Sequence, residues 1–266
     1  MCGIITFQSY GLNSVDMNKF NILMLFGDSR GGHSTGIYNG KDILKELGDS
    51  INILPHYESG MVAIGHTRYG THGSLTKENS HPYRYGKYVG CHNGVLANHM
   101  ELCGKYNLSD KDVDSKAIFQ LMNKIGIQNT INNISGTAAI VAHNTEEDNL
   151  LVYRSGNPLF VGESEEGIYF SSIKDPLIIT RCKNIHELPE NTVFIYKDGK
   201  IVYEKSDVKM KPYYSKVLNW DDYKKSLKKI TEKEQPLSKN TFVDVSDYNE
   251  EYSDQGDYIE EKTMEN

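Results

Sequence analysis

The sequence predicts an α+β layered domain that ends near residue 205 and is followed by a polar extension. Three observations predict this. Short β-branched or aromatic runs broken by turn residues occur in both halves of the first 205 residues. Segments with helical spacing of apolar residues lie between them. Beyond Ser206 the apolar pattern dissolves. Hydrophobic residues make up 38% of the 266-residue chain and charged residues 24%, enough for an ordinary core.

The elements follow in order. Gly3-Ile4-Ile5-Thr6-Phe7 reads as a short buried strand. Residues 15–26 place Val15, Phe20, Ile22, Leu23 and Phe26 at roughly helical spacing, with Ser14 as the expected cap. That helix stops before the turn Arg30-Gly31-Gly32. Met61 to Ile64 and Tyr88 to Cys91 are short apolar runs, each ending in a polar cluster. Residues 113–125 form an amphipathic helix with Val113, Ala117, Leu121 and Ile125 on one face. The second half reads as strands at 137–142, 149–153, 158–161 and 167–171. Residues 191–196 and 201–203 then face each other across Lys197-Asp198-Gly199-Lys200, a strong hairpin signal.

Charge and cysteine usage narrow the function classes. The net charge is −7, and the stretch from Asp244 to Asn266 holds nine acids against one lysine. A near-neutral body with an acidic end carries no electrostatic footprint for nucleic acid. There is no secretory signal and no apolar run of about 18 residues, so neither export nor a membrane span is expected. Cys2, Cys91, Cys103 and Cys182 lack metal-type spacing and read as reduced cytosolic thiols. Residues 220–230 are compatible with one basic helix, and 244–266 with a solvated, disordered tail.

Four features carry chemistry. Cys2 becomes the first residue once Met1 is removed, and then bears a thiol beside a free α-amine titrating near 8. One residue thus supplies a nucleophile and a base. In Gly65-His66-Thr67-Arg68-Tyr69-Gly70-Thr71-His72-Gly73, Arg68 offers a fork for a carboxylate, and Thr71 and His72 add donors. In His92-Asn93-Gly94, an amide and the following N–H can form an oxyanion hole, although Asn–Gly alone is most often a turn. Asp114, at a helix start, can hold an ammonium, although acids there are most often capping residues. Together these parts fit an α-amino acid carrying a side-chain amide, and glutamine is the natural match.

At this point the residues resemble a known family, the class II glutamine amidotransferase domains, which are N-terminal-nucleophile hydrolases. The resemblance spans roughly residues 2–205. It rests on Cys2-Gly3-Ile4, Arg30-Gly31 with Ser34 and Gly36, Gly65 to Tyr69, Thr71-His72-Gly73, and Asn79-Ser80-His81-Pro82. It continues through His92-Asn93-Gly94 with Asn98-His99, Asp114, Arg154 to Leu159, and Phe170-Ser171-Ser172, all in family order. The glutaminase domain of glucosamine-6-phosphate synthase is the nearest version, and the phosphoribosylpyrophosphate amidotransferases are similar too. The resemblance implies a four-layer αββα fold and no metal or organic cofactor. It implies Cys2 as nucleophile, Asn93 and Gly94 as oxyanion hole, and Arg68, Thr71, His72, Gly94 and Asp114 as the glutamine-recognition set. It also implies Arg30 as a buttress of the nucleophile and Gly73 to His81 as a loop closing over substrate. The chain departs from the family pattern at His33, where Asp is usual, and at Lys116, where an acid is usual.

The expected activity is hydrolysis of L-glutamine to glutamate and ammonia, in the cytoplasm. The domain is expected over 2–205 and a C-terminal extension over 206–266, too short and too polar for an ammonia-using domain. The expected partner is therefore a separate synthase or transferase that accepts the ammonia. Three other readings stay open: a free-standing hydrolase of another γ-glutamyl amide, a binding or regulatory module that has lost its chemistry, and an amidase for an apolar acyl group.

Overall fold

The computed structural model describes residues 1–11, 13–70 and 73–212, which belong to one compact unit. The expected helix over 220–230 and the expected tail over 244–266 lie outside the described residues. The strands are β1 (Gly3–Ser9), β2 (Ser34–Tyr38), β3 (Ile43–Leu47), β4 (Val62–Arg68), β5 (Tyr83–Tyr85), β6 (Tyr88–Leu96) and β7 (Gly136–Asn144). They continue with β8 (Asn149–Ser155), β9 (Phe160–Glu163), β10 (Gly167–Ser171), β11 (Lys183–Glu187), β12 (Val193–Lys197) and β13 (Lys200–Lys205). The helices are α1 (Met17–Asp28), α2 (His99–Lys105), α3 (Asp114–Ile125), α4 (Ile127–Asn133) and α5 (Asp175–Ile179).

The strands form two antiparallel sheets. One has the order β11-β9-β10-β1-β4-β2-β3 and the other β13-β12-β8-β7-β6-β5. Period-2 alternation explains how they stack. In β1, Ile4 points between the sheets while Ile5 and Phe7 point outward. In β7, Ala139 and Val141 point between the sheets while Ala138, Ile140 and Ala142 point outward. A central core of Ile4, Ile64, Val89, Val141, Val152 and Phe170 therefore joins the sheets. The outer face of the first sheet packs on Phe20, Leu23 and Met24 of α1 and Leu177 of α5. The outer face of the second packs on Leu102 of α2, Ile118, Phe119 and Leu121 of α3, and Ile131 of α4. Helix, sheet, sheet and helix make the four layers expected.

Several local expectations change. Asp16, not Ser14, caps α1, its carboxylate accepting from the N–H groups of Asn18 and Lys19. Val15 precedes the helix, because its N–H is held by Gly60 O and its C=O by the Ser59 hydroxyl. The buried stripe of α1 is Phe20, Leu23, Met24 and Gly27, while Phe26 is exposed. The stretches Gly65 to Arg68 and His92 to Gly94 lie inside β4 and β6 rather than beyond their ends. Strands β2, β3, β5 and β11 and helices α2, α4 and α5 were not anticipated. The hairpin is as expected, and Asp198 and Gly199 both take positive φ, 50° and 68°, as a two-residue turn requires. Past Lys205 the chain still packs on the body, with Val208 buried and Lys211 N–H bonded to Ile134 O.

Two buried aromatic residues anchor opposite outer layers. Replacing Phe119 or Phe20, both fully buried, by Ala is expected to lower unfolding stability by about 3–5 kcal/mol, read from urea melts. Phe26→Ala, on the exposed side of α1, is expected to cost less than about 1 kcal/mol.

Candidate active site

The strand ends bring the site together. β1 pairs with β4 so that Gly3 lies opposite Thr67, which sets Cys2 beside Arg68 and Tyr69. The Thr67 hydroxyl donates to Gly27 O at 2.7 Å and fastens the end of α1 to β4. That places the following turn, and Arg30 with it, next to the start of β1. From the other sheet, β6 delivers Asn93 and Gly94, and the first residue of α3 is Asp114.

The Cys2 carbonyl oxygen accepts from Arg30 Nε at 2.9 Å and from Asn93 Nδ2 at 2.8 Å. Its sulfur accepts from Tyr69 N–H at 3.2 Å and lies 3.5 Å from Tyr69 O. Burial pushes the Cys2 thiol up from its ordinary range, against the opposing pull of the Tyr69 N–H, the N-terminal charge, Arg68 and Arg30. The sulfur is therefore a thiol at neutral pH and needs a base before it can attack.

Cys2, Arg68, Gly94 and Asp114 line one small cavity of about 30 Å³, together with His81, His92 and Ser115. Asn93 stands beside it. Its Oδ1 lies 3.0 Å from His66 Nε2, and its Nδ2 donates to Ser172 Oγ at 3.0 Å as well as to Cys2 O. Gly94 has φ 142°, and a Cβ there would lie 2.0 Å from Thr137 O, so no other residue fits. Asp114 accepts from Leu96 N–H and Ser115 N–H, each at 2.8 Å, and so joins the end of β6 to the start of α3. An ionised carboxylate has about four acceptor sites, which leaves capacity toward the cavity. Arg68 Nη1 donates to Ser74 O at 3.3 Å. Arg30 does not line this cavity and has Met1 beside it. The expected ligands Thr71 and His72 fall outside the described residues. Among the described residues, no group of three or more His, Cys, Asp or Glu side chains is placed to hold a metal, and no helix is long and apolar enough to cross a membrane.

Residues 66–178 match the glutamine amidotransferase domain. The chain is 29% identical over 241 residues to the glutamine–fructose-6-phosphate aminotransferase (isomerizing) of Fusobacterium nucleatum, covering 82% of this chain and 39% of that protein. The same enzyme of Francisella tularensis is 29% identical over 283 residues, covering 93% and 45%. The chain thus spans less than half the length of these curated relatives. Among solved structures, the glutamine phosphoribosylpyrophosphate amidotransferase of B. subtilis complexed with ADP and GMP superposes with a TM-score of 0.62 at 19% identity, covering 79% of this chain and 50% of that one. A structure described as the allosteric regulatory enzyme of purine biosynthesis gives 0.63 at 19%, with the same coverage. At such identity these show a shared fold alone, two stacked antiparallel sheets with helices on their outer faces. In sequence and in fold the chain resembles class II glutamine amidotransferases.

Several residues of this amidotransferase-like site had no role assigned from sequence. Tyr69 supplies its backbone to the sulfur, and Ser172 Oγ accepts from both Ile4 N–H and Asn93. His33, one of the two departures, accepts from Gly70 N–H at 3.0 Å and stacks on the Tyr69 ring at 4.7 Å. Lys116, the other, is buried, 2.7 Å from an Asp110 carboxylate oxygen and 2.8 Å from Asn79 Oδ1. His81 and His92 belong to the cavity wall, and His66 is buried behind it with its ring 4.0 Å from that of His81. All three lay in the quoted motifs, so the signal was present. What was missing was the knowledge that these stretches are interior strand, where a polar side chain needs a partner.

Burial holds all three histidines neutral, driving His66 down to about 3 and His81 and His92 below their ordinary value. Their folded values lie below the unfolded one, so the stability they contribute is complete above about pH 6.5. It is lost as the pH falls below that value, because the unfolded chain binds protons that the folded one does not. Urea melts between pH 7.5 and 5 are expected to show stability falling with acid, approaching about 1.4 kcal/mol per pH unit for each histidine kept neutral. A flat profile over that window would contradict the neutral assignment.

Proposed function

We propose that this domain hydrolyses L-glutamine to glutamate and ammonia through a γ-glutamyl thioester on Cys2. The observation that carries the reading is the cavity that puts a nucleophilic sulfur, an arginine, a carboxylate and a strand glycine around one space. Arg68 pairs with the substrate α-carboxylate and Asp114 with its α-ammonium. Thr71 and His72 complete the recognition set on the strength of the motif alone.

Removal of Met1, which is exposed, converts the Cys2 amide nitrogen into an α-amine. That amine takes the thiol proton as the sulfur bonds to the γ-carbonyl carbon. The oxyanion is held by Gly94 N–H and by Asn93 Nδ2, which gives up its bond to Ser172 for this purpose. Collapse of the tetrahedral adduct breaks the C–N bond, and the α-ammonium protonates the departing ammonia. Water then attacks the thioester, with the amine again acting as base, and releases glutamate and the thiol. The reaction as written uses no metal or organic cofactor.

The cavity has room for about one water, so glutamine entry requires its wall to move. Residues 73–78, exposed except at the half-buried Thr76, are the part of the loop that opens. Asn79 and Ser80 at its root are pinned, by Lys116 and by the Ser34 hydroxyl. We place the chain in the cytoplasm, in keeping with four unpaired cysteines. We further propose that the ammonia passes to a separate acceptor synthase or transferase, in keeping with relatives named for amino transfer from glutamine.

Active protein is expected to show an intact mass lacking Met1, and retention of Met1 in active material would remove the amine from the mechanism. Cys2→Ala is expected to abolish glutamate release, and Asn93→Ala to lower kcat by about 10²–10³. Asp114→Asn is expected to raise KM for glutamine by about 10–100-fold, the loss of one charge-assisted contact. A substrate panel separates glutamine from other γ-glutamyl amides. Glutamate release measured with and without co-purifying protein tests the acceptor, and robust activity that no partner changes would favour a free-standing hydrolase.

A further inference from the structure

The proposed chemistry depends on which way the Asn93 amide faces, and an amide can turn end for end with little change of shape. The Cys2 carbonyl is an acceptor only, so the Asn93 atom 2.8 Å away must be the NH₂ group. Oδ1 then faces His66 Nε2 at 3.0 Å. An amide oxygen only accepts, so Nε2 must carry a hydrogen. Burial keeps the ring neutral, leaving it a single N–H. The other nitrogen, Nδ1, is buried and makes no hydrogen bond of normal geometry, although the His92 backbone also acts on the ring, and the His81 ring lies 4.0 Å away, centroid to centroid. The Asn93 contact therefore selects the tautomer with the hydrogen on Nε2.

We propose that His66 is a positioning residue for glutamine hydrolysis, its Nε2–H locking the Asn93 amide so that Nδ2 faces Cys2 and the developing oxyanion. This rests on the assignment of Asn93 as an oxyanion donor. His66 stands behind Asn93 rather than in the cavity wall, and acts only through it. With the hydrogen on the wrong nitrogen, or with the ring removed, the amide can flip. Its oxygen would then face the Cys2 carbonyl and the oxyanion, turning attraction into repulsion.

The test compares His66→Phe, which removes the donor, with His66→Gln, which can restore an N–H at the same reach. With glutamine as substrate, His66→Phe is expected to lower kcat by about 10–100-fold, approaching the loss of an oxyanion donor, while KM changes by less than about 3-fold. His66→Gln is expected to recover most of that loss. In an Asn93→Ala background, His66→Phe is expected to add no further loss, since residues acting as a unit are not additive. Unchanged kcat in His66→Phe alongside a large loss in Asn93→Ala would overturn the positioning role and leave the oxyanion assignment standing. Full activity in Asn93→Ala would instead overturn the oxyanion assignment. If the His66 variants do not fold, ¹⁵N-histidine NMR of the unaltered protein decides. A proton on Nε2 of His66 is expected, and a proton on Nδ1 would overturn the proposal.

Discussion

The carbonyl oxygen of Cys2 is where the two sheets meet chemically. Arg30 reaches it from the turn after α1 on one side, and Asn93 reaches it from β6 of the second sheet on the other. A carbonyl has two lone pairs, and both are occupied here. Neither donor is adjacent to Cys2 in sequence. The first depends on α1 being fastened to β4 through Thr67 and Gly27. The second depends on the sheet-to-sheet core of Ile4, Ile64, Val89 and Val141, which sets the distance between β1 and β6. The start of the chain, ordinarily the first place to fray, is thereby held against both layers.

This arrangement places an unusual load of polar side chains inside strands. Thr67 and Arg68 of β4 and His92 and Asn93 of β6 are buried, and each pairs within the protein. Leaving such groups unpaired costs about 1–3 kcal/mol apiece, so the network is constrained as a whole rather than bond by bond. Thr6 Oγ1 of β1 and His66 Nδ1 of β4 are among the exceptions, and so is His81. Neither ring nitrogen has a partner, and the ring lies against His66 and Tyr83 at the cavity wall. A local deficit of this kind is stable only because the surrounding packing supports it.

The legible parts of the fold were those with a strong local signal. The Asp198-Gly199 hairpin was visible because two consecutive positive φ values suit few residue pairs. Helix α3 was visible because its apolar stripe repeats every four residues. Strand β11 was not, since Lys183 to Glu187 is an almost wholly exposed edge with no alternating pattern to read. The α1 cap was misplaced by two residues because Ser14 and Asp16 are both good caps, and only the pairing of Val15 with the Gly60 and Ser59 strand entry selects between them. The polar motif stretches read as loops in sequence because polar residues ordinarily mark loops. In β4 and β6 they continue the ladders, since each polar group finds its partner in the opposing layer.

What the sequence by itself determined is the set of reactive parts and their order: a cysteine at position two, an arginine, an Asn–Gly pair, a helix-start aspartate, and alternating strands able to bury two faces. Side-chain chemistry and periodicity are local properties, so they can be read without a fold. The tertiary structure decided how those parts meet. It spends both amide hydrogens of Asn93 on Cys2 and Ser172, sets Lys116 against Asn79 and Asp110, and places the neutral His81 and His92 in the cavity wall with His66 behind them. Three of those contacts join residues 37 to 91 positions apart, which the register of two packed sheets sets and no local pattern encodes.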